Sequence, residues 1–486
     1  MTLLFIIFQI CVVCSKNIFC EEINLYGDAG EAYAIEVFLG HPHQKFKLLV
    51  DTGSTTLAIA SYARQDSNKY FHADNSSSLY NSGTSIQAAY TQGTWLGLLA
   101  SDFIQFPSLS GTPEVRSDFA LITESHEFFT KASGWQGLLG LAFLPVGAWG
   151  KAGSVESWLD AVDRNLNKAM SFHLKLCGPI STTNTTHYGY FKIVDDHTPN
   201  TNHNKTFRTP VLRKRWYEVG VIAIRVMSSM NPEKEKHLVK DAIKEPDTDM
   251  CVKLNMVKSI VDSGTTQIKL PDKLFRQVVD ELKNEFRKSQ VLILDEFWNR
   301  REAACWPEPQ VWTLPWLAID LLSADADNQY FTLEIPPQNY MLVVGVHNSS
   351  DTTGTVSTYC YKLGLEAGGT ETVLGYTAME GLQVLFNRSA GWIGWQTSDC
   401  GANTRITGPY NVSTSLKSTC QLIRPVADVA TSIKAAQWAL CAISIIAAGV
   451  LLYLLAPCVK AFFIRRMPRS QQISLSQAAL VEQESS

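Results

Sequence analysis

The chain has 486 residues, of which 45% are hydrophobic and 18% are charged, and its formal net charge is −4. This composition excludes a disordered or collagen-like chain. Acidic residues (46) outnumber basic ones (42), so the net charge does not favour binding to the phosphate backbone of a nucleic acid. We therefore expect no nucleic-acid partner. The length suits two or three average domains, or one domain with two lobes.

The chain begins with an apolar run, MTLLFIIFQICVV, that is too short to cross a bilayer. It is typical of a secretory signal peptide, which we place at residues 1–20. Cleavage after Ser15 or after Cys20 would fit, and a buried N-terminal strand is the alternative interpretation. Only about a dozen residues separate this segment from Tyr33, so we expect no long inhibitory propeptide.

Between residues 30 and 400, short runs rich in Val, Ile, Leu, Phe and Tyr alternate with Gly, Pro, Asn and Ser. This pattern predicts a mostly β protein. Helical spacing of apolar residues is confined to short stretches, notably residues 154–166 and 272–287. Two polar segments, residues 195–208 and 228–250, are predicted to be long surface loops.

The most informative feature is an internal repeat. An apolar strand leads into Asp51-Thr52-Gly53-Ser54-Thr55, and later another leads into Asp262-Ser263-Gly264-Thr265-Thr266. Each copy is followed by two apolar residues and a glycine, at residues 138–140 and 373–375. A single Asp-Thr-Gly usually marks only a turn. Two copies of the motif, each followed by the same apolar-apolar-Gly segment, predict a pair of equivalent loops that each present an aspartate.

Two such aspartates suit the hydrolysis of a peptide bond. That reaction needs a base to activate water and an acid to protonate the oxygen and the leaving amine. Two carboxyl groups about 3 Å apart cannot both ionise, so they share one proton and can serve as both. We therefore predict that Asp51 and Asp262 form the catalytic pair.

The neighbouring residues of each motif are predicted to support this pair. Gly53 and Gly264 would let the loops approach without Cβ clashes. The Ser54 and Thr265 hydroxyls would orient the carboxylates. The remaining two residues, Thr52 and Ser263, would tie one loop to the other.

The C-terminal region contains a membrane signal. Residues 435–459 are uncharged and apolar over the length that a bilayer requires, so we predict one transmembrane helix, preceded by a stalk at 425–434. A buried core helix is the alternative. Four basic residues follow the segment, and this bias predicts that the tail, residues 460–486, is cytoplasmic and that the body is lumenal or extracellular. Cys458, at the end of this segment, is a palmitoylation candidate.

Over about residues 30–420 the sequence resembles the pepsin-like aspartic proteases, whose dyad is the established example of a shared proton. Within that family the closer resemblance is to the membrane-anchored β-secretase (memapsin) branch. It rests on Tyr90-Thr91-Gln92-Gly93-Thr94-Trp95 and on residues 122–125, 137–142 and 260–266. The resemblance implies an all-β bilobal fold with a substrate cleft between an N-terminal lobe, residues 21–210, and a C-terminal lobe, residues 211–424.

The resemblance also assigns residues that contact the substrate. Tyr90 would be the tyrosine of a flap hairpin that closes over bound peptide, and Trp95 would either hydrogen-bond it or pack beneath it. Lys269 stands where β-secretases carry an arginine that faces the substrate near the second residue before the cut. An ordinary surface lysine is the alternative for this position. The other residues predicted to line the flap or the substrate site are Thr91, Gln92, Gly93 and Thr266.

Cysteines and glycosylation motifs agree with a lumenal body. Six cysteines lie between the signal and the membrane segment, and they predict three disulfides whose spacing leaves 15 pairings open. The resemblance implies the pairs Cys177–Cys400, Cys251–Cys420 and Cys305–Cys360. Predicted glycan acceptors are Asn75, Asn184, Asn204, Asn348, Asn387 and Asn411. No Cys-x-x-Cys pair or histidine cluster indicates zinc, and we expect no metal or organic cofactor.

These features predict a single-pass type I membrane aspartic endopeptidase. Its expected partners are the lipid bilayer and peptide segments of membrane or secreted proteins. It would act in an acidic compartment of the secretory pathway, in the Golgi or endosomes, or at the cell surface. A catalytically silent peptide-binding membrane protein of the same fold is the alternative class. General lysosomal digestion is a second alternative, which the membrane anchor disfavours.

Overall fold

A computed structural model describes most of the body and the C-terminal helix. The described residues are 23–28, 33–64, 67–90, 93–107, 113–129, 134–143, 155–179, 186–195, 205–228, 245, 247–288, 293–306, 314–351, 354–422 and 429–464. The predicted signal peptide and residues 465–486 of the predicted tail lie outside these ranges. One compact unit ends at Ile423, and a second unit begins at Arg424.

Strands dominate the first unit, which confirms the mostly β prediction. Those before residue 211, called the N-terminal half below, are β1 (Ile23–Asp28), β2 (Ala34–Leu39), β3 (Gln44–Asp51), β4 (Ala58–Ala60), β5 (Tyr80–Ala89), β6 (Thr94–Gln105), β7 (Val115–His126), β8 (Gly137–Gly140), β9 (Met170–Pro179), β10 (Thr186–Asp195) and β11 (Phe207–Pro210). Those in the C-terminal half are β12 (Val221–Met227), β13 (Ser259–Val261), β14 (Ile268–Leu270), β15 (Ala304–Trp306), β16 (Trp316–Leu322), β17 (Gln329–Ile335), β18 (Met341–Asp351), β19 (Gly354–Leu363), β20 (Leu365–Ala367), β21 (Thr372–Leu374), β22 (Leu382–Asn387), β23 (Trp392–Thr397) and β24 (Arg405–Asn411).

Helices are few among the described residues. They are α1 (Trp158–Leu166), α2 (Thr248–Leu254), α3 (Asp272–Lys288), α4 (Asp295–Trp298), α5 (Pro337–Tyr340), α6 (Leu416–Thr419) and α7 (Val429–Ile464). The two predicted helical stretches correspond to α1 and α3. Helix α1 begins after Ser157, whose hydroxyl accepts the Asp160 N–H at 3.1 Å, and α3 buries Leu274, Val278 and Leu282 on one face.

The loop prediction for residues 228–250 is wrong at its C-terminal end. Helix α2 begins at Thr248, and the Asp247 side chain caps it by accepting the Asp249 and Met250 N–H groups. Its inward face carries Cys251 and Leu254, which are fully buried. The charged residues around the helix concealed this apolar face in the sequence.

One 13-stranded sheet contains strands from both halves, in the order β11-β23-β22-β9-β10-β1-β2-β3-β8-β4-β7-β6-β5. Strand β22 of the C-terminal half pairs antiparallel with β9 of the N-terminal half. The other described strands form the sheets β12-β16-β17-β24, β13-β21-β14-β20 and β15-β19-β18. The predicted lobes therefore share backbone hydrogen bonds as well as side-chain contacts.

The two copies of the sequence repeat also have the same pattern of strand pairing. In the N-terminal half, β3 runs parallel to β8, β8 antiparallel to β4, and β4 parallel to β7. In the C-terminal half, β13 runs parallel to β21, β21 antiparallel to β14, and β14 parallel to β20. Each half thus holds its Asp-containing loop in the same arrangement of four strands.

Three disulfides join segments that are distant in the chain. Cys177 of β9 is bonded to Cys400, Cys251 of α2 to Cys420, and Cys305 of β15 to Cys360 of β19. These are the pairs that the resemblance implies. Cys305 and Cys360 also stand directly opposite each other in the strand register.

The second unit contains one long helix, α7. Within it, Gln437–Pro457 form a 21-residue apolar segment with a mean hydropathy of 2.5, which is long and apolar enough to cross a membrane. Its large apolar side chains are exposed, including Trp438, Ile445 and Tyr453. The helix extends beyond the predicted membrane segment in both directions, so part of the predicted stalk is helical.

Candidate active site

Each of the two predicted catalytic aspartates lies at the end of a strand that is paired in parallel with another strand of its own half. Asp51 is the last residue of β3, and Asp262 directly follows β13. The backbone of each aspartate is hydrogen-bonded at the end of the strand beside it. The Leu141 N–H donates to the Asp51 carbonyl at 2.8 Å, and the Asp262 N–H donates to the Leu374 carbonyl at 3.0 Å. Equivalent strand ends therefore present both aspartates.

Two reciprocal hydrogen bonds join the loops. The Thr52 N–H donates to Ser263 Oγ at 3.1 Å, and the Ser263 N–H donates to Thr52 Oγ1 at 2.9 Å. Each hydroxyl in turn donates to a carbonyl of the opposite strand, Thr52 to Val261 at 2.9 Å and Ser263 to Val50 at 2.7 Å. Because both side chains are buried, this network fixes the separation of the loops.

Within each loop, the same two donors orient the carboxylate. Asp51 Oδ1 accepts the Gly53 N–H at 2.7 Å, and its Oδ2 accepts the Ser54 hydroxyl at 2.5 Å. Asp262 Oδ1 accepts the Gly264 N–H at 2.9 Å, and its Oδ2 accepts the Thr265 hydroxyl at 2.7 Å. The sequence predicted the two hydroxyl bonds, whereas the backbone N–H bonds follow from the turn geometry.

The glycines bring each loop against the opposite aspartate. A Cβ on Gly53 would lie 2.7 Å from the Asp262 carboxyl carbon, and a Cβ on Gly264 would lie 2.5 Å from Asp51 Oδ1. Both distances are far shorter than any carbon contact allows. Only glycine at these two positions lets the two carboxyl groups face each other.

The environment distinguishes the two aspartates. Asp51 is buried and Asp262 is partly exposed. Burial raises the pKa of Asp51 well above its usual range, and the neighbouring Asp262 charge raises it further. The hydrogen bonds from Ser54 and Gly53 act against this rise. The balance favours a proton on the Asp51 carboxyl.

The support for Asp51 includes a residue that the sequence did not single out. Tyr217, from the C-terminal half, donates its hydroxyl to the Leu141 carbonyl at 2.9 Å, and the Leu141 N–H bonds to Asp51. The Tyr217 ring is fully buried against Phe386 and Phe172. No motif surrounds this tyrosine, so only the folded contact reveals it.

The predicted flap is the hairpin of β5 and β6. At its tip the Tyr90 N–H donates to the Gly93 carbonyl at 3.0 Å. Gly93 has a φ of 79°, and a Cβ there would lie 2.3 Å from the Phe128 nitrogen, so glycine is required. The Phe128 ring lies 5.5 Å from the Tyr90 ring. Thr91 and Gln92 are outside the described residues.

Tyr90 belongs to the surroundings of Asp51. Burial raises the pKa of Tyr90, and the nearby Asp51 charge raises it further. The polar side chains of Trp95 and Ser54 beside the Tyr90 hydroxyl lower the Tyr90 pKa, although by less than burial raises it. Trp95, on strand β6 of the same hairpin, is itself buried, and its indole nitrogen has no hydrogen-bond partner among the described residues. Tyr90, Ser54 and Asp51 therefore form one local group.

Lys269 is not the surface residue of the alternative interpretation. It lies on β14, is only 7% exposed, and its Nζ is 3.7 Å from Glu366 of the parallel strand β20. The same Glu366 oxygen is 3.7 Å from Arg300 Nη1. Gln267 also joins this group when its amide oxygen faces Arg300. Thr266, the neighbouring predicted site residue, is buried.

The predicted glycan acceptors differ in accessibility. Asn75 and Asn411 are exposed. Asn387 is only 7% exposed, and its Oδ1 accepts the Ala390 N–H at 2.8 Å, so the structure disfavours a glycan there. Asn184, Asn204 and the side chain of Asn348 lie outside the described residues.

Comparison with known proteins identifies the family. The family model for eukaryotic aspartyl proteases matches residues 32–397. The chain belongs to the eukaryotic aspartyl protease family. A β-secretase from Strongylocentrotus purpuratus is 30% identical over 407 residues, which are 80% of this chain and 70% of that protein. Procardosin-B from Cynara cardunculus is 29% identical over 149 residues, which are 30% of this chain and 28% of that protein.

These matches confirm the predicted fold class and the resemblance to the β-secretase branch. The matched range contains both Asp-containing loops and the flap hairpin. This aspartyl protease also combines three disulfides with a C-terminal apolar helix, as expected of a membrane-anchored secretory protein.

Proposed function

We propose that this aspartyl protease is a membrane-anchored endopeptidase that resembles β-secretase and cleaves membrane or secreted proteins in acidic lumenal compartments. The observation that carries the proposal is the pair of loops joined by the Thr52 and Ser263 hydrogen bonds, with Asp51 and Asp262 facing each other across them. A silent binding protein would have no need for two carboxylates held in equivalent geometry.

The mechanism uses unequal protonation of the pair. In the free enzyme, Asp51 holds the shared proton because burial and the Asp262 charge raise its pKa. Ionised Asp262 takes a proton from a water molecule, whose oxygen attacks the substrate carbonyl carbon. Asp51 donates its proton to the carbonyl oxygen as the tetrahedral intermediate forms. The Asp262 carboxyl then protonates the leaving amine, the ionised Asp51 carboxylate takes a proton back from one hydroxyl of the intermediate, and the C–N bond breaks as that oxygen becomes a carbonyl.

The flap and the Lys269 group would bind the substrate. Tyr90 would close over the peptide above Asp51. Lys269 would favour acidic or polar side chains near the second residue before the cut, with its position set by Glu366. A peptide panel tests this role: Lys269→Ala should reduce that preference, and an unchanged preference would refute it. Lys283→Ala, which removes a partly exposed lysine of α3, is a matched control.

The membrane anchor restricts the substrates. Helix α7 would hold the protein in the bilayer, so the body would meet lumenal segments of other membrane proteins and secreted chains in the same compartment. Residues 460–486 would form the cytoplasmic tail. This restriction favours selective cleavage over general lysosomal digestion.

The decisive experiment measures cleavage of a peptide library by the full chain in detergent micelles from about pH 3 to pH 7. Asp51→Asn and Asp262→Asn should each abolish turnover that is otherwise greatest at acidic pH. Asp325→Asn, which changes an exposed carboxylate paired with Arg208, should leave turnover unchanged. Folded, disulfide-bonded protein that binds the peptides without turnover would instead support the silent binding protein.

A further inference from the structure

Two histidines and a glutamate converge on the surface of the N-terminal half. His41 Nε2 is 3.1 Å, and His43 Nε2 is 2.9 Å, from the same oxygen of Glu114. The potential ligand atoms of all three residues lie within 4.8 Å of one another. The sequence shows only a His-Pro-His pair here, because the third residue comes from a distant segment. The spacing therefore contained no recognisable metal motif.

Neighbouring aromatic rings hold the two imidazoles in place. The His41 and His43 rings are stacked with centroids 5.1 Å apart. Phe38 stacks on the outer side of His43 at 5.4 Å, and Phe103 contacts His41 at 5.0 Å. The four rings thus form one continuous row. This packing fixes both Nε2 atoms toward Glu114 and lowers the entropy that a ligand would have to remove.

The backbone of the same turn is also fixed. The His41 N–H donates to Ser76 Oγ at 3.1 Å, and the His41 carbonyl accepts the Ser77 N–H at 2.7 Å. Ser76 in turn donates to the buried Asp102 carboxylate at 2.6 Å. The turn between β2 and β3 is therefore held by residues that precede β5. Its histidines belong to a rigid support.

We propose that His41, His43 and Glu114 bind one Zn²⁺ ion. Metal–ligand bonds of about 2.0–2.1 Å at tetrahedral angles set neighbouring ligand atoms about 3.3 Å apart. The 3.1 and 2.9 Å separations need to widen by only a few tenths of an ångström. Two imidazole nitrogens and one carboxylate oxygen suit zinc, and partial exposure leaves room for water as the fourth ligand.

This site is separate from the aspartate pair. His43 directly precedes β3, and Asp51 is the last residue of that eight-residue strand. At about 3.3 Å per residue, the eight steps from His43 to Asp51 span roughly 26 Å. The ion would join the β2–β3 turn to the start of β7, and so stabilise the N-terminal half without touching the reacting atoms. The inference does not depend on peptidase activity.

The test uses full-length protein in detergent, purified at pH 7.4 through a tag without histidines. Isothermal titration with Zn²⁺ should give one site per chain. His41→Gln with His43→Gln, and separately Glu114→Gln, should each weaken binding at least tenfold. His72→Gln removes an exposed histidine outside the cluster and should leave binding unchanged. Mg²⁺ should not compete, because it prefers sites built from oxygen ligands.

Two further readouts separate zinc binding from a simple ion pair between histidine and glutamate. Co²⁺ in the same site should give the visible absorption of a tetrahedral centre, and the ligand variants should lose it. Zn²⁺ should raise the unfolding temperature of the wild type and of His72→Gln, and of neither ligand variant. Folded wild type without stoichiometric binding, or equal affinity in the ligand variants, would overturn the proposal.

Discussion

The bond network between the two loops can be tested by Thr52→Val, which keeps the shape of the side chain and removes its hydroxyl. In the structure this hydroxyl accepts the Ser263 N–H at 2.9 Å and donates to the Val261 carbonyl at 2.9 Å. Valine can do neither. Because the site is fully buried, water cannot replace the lost partner, and two backbone groups remain unpaired.

The expected cost follows from those two groups. Each buried polar group left without a partner costs about 1–3 kcal/mol, so Thr52→Val should destabilise the protein by roughly 2–6 kcal/mol. The loops would also lose their fixed separation. A misplacement of about 1 Å near reacting groups can reduce turnover by about a hundredfold. We therefore expect kcat to fall much more than KM rises.

The assay compares thermal unfolding and peptide-cleavage kinetics of the full chain in detergent. Thr123→Val is the matched control, because it removes an exposed hydroxyl that donates to the Leu96 carbonyl at 3.2 Å. Ser263→Ala with Thr52→Val should cost less than the sum of the single changes, since both act on one network. Equal stability of Thr52→Val and Thr123→Val, with kcat unchanged, would refute the reasoning.

Three further predictions concern Asp51 and the flap. Above about pH 4, Asp51→Asn should have a larger free energy of unfolding than the wild type. Because the pKa of Asp51 is raised by folding, the folded wild type keeps a proton that the unfolded chain releases. The free energy of unfolding of the wild type therefore falls as the pH rises. The difference in free energy of unfolding between variant and wild type should grow by about 1.4 kcal/mol per pH unit, up to the pKa of Asp51 in the folded protein. Urea unfolding curves that show no such pH dependence would contradict this prediction. Gly93→Ala should lower kcat/KM, because its Cβ would clash with the Phe128 backbone and distort the hairpin. Gly83→Ala is the control for backbone strain, since Gly83 also has a positive φ but no atom lies near its Cβ. Equal losses of kcat/KM in the two variants would exclude the clash as the cause. Tyr90→Phe should reduce kcat/KM about tenfold by removing one hydrogen-bonding hydroxyl beside Asp51, with an unchanged unfolding temperature, and full activity would exclude that role.

The repeat made the centre of the site predictable, because each motif carries its own hydrogen-bonding groups. The bonds from Ser54 and Thr265 to the aspartates are local, three residues along the chain. The bonds between Thr52 and Ser263 follow once the two loops are taken to be equivalent. Local chemistry and internal symmetry together were enough for these contacts.

The contacts that the sequence could not predict come from distant segments. Lys269 is buried beside Glu366 of β20, whose carboxylate compensates its charge. The sequence around Lys269 does not indicate that Glu366 will be its neighbour. The pairing of β22 with β9 is also non-local. The alternation of apolar and polar residues along a strand predicts which of its faces is buried, but not which strand it pairs with. Glu114 joins His41 and His43 for the same reason.

The aspartate pair combines symmetric geometry with asymmetric electrostatics. Duplicated strands and loops give both carboxylates the same two donors, which explains how they come to face each other. Charge repulsion alone makes the two acids share one proton, and the proton favours one of them only if their environments differ. The difference comes from outside the repeat: Asp51 is buried near the Tyr90 flap, while Asp262 stays partly exposed. Unequal burial therefore raises the pKa of one carboxyl in a scaffold whose hydrogen bonds are otherwise symmetric.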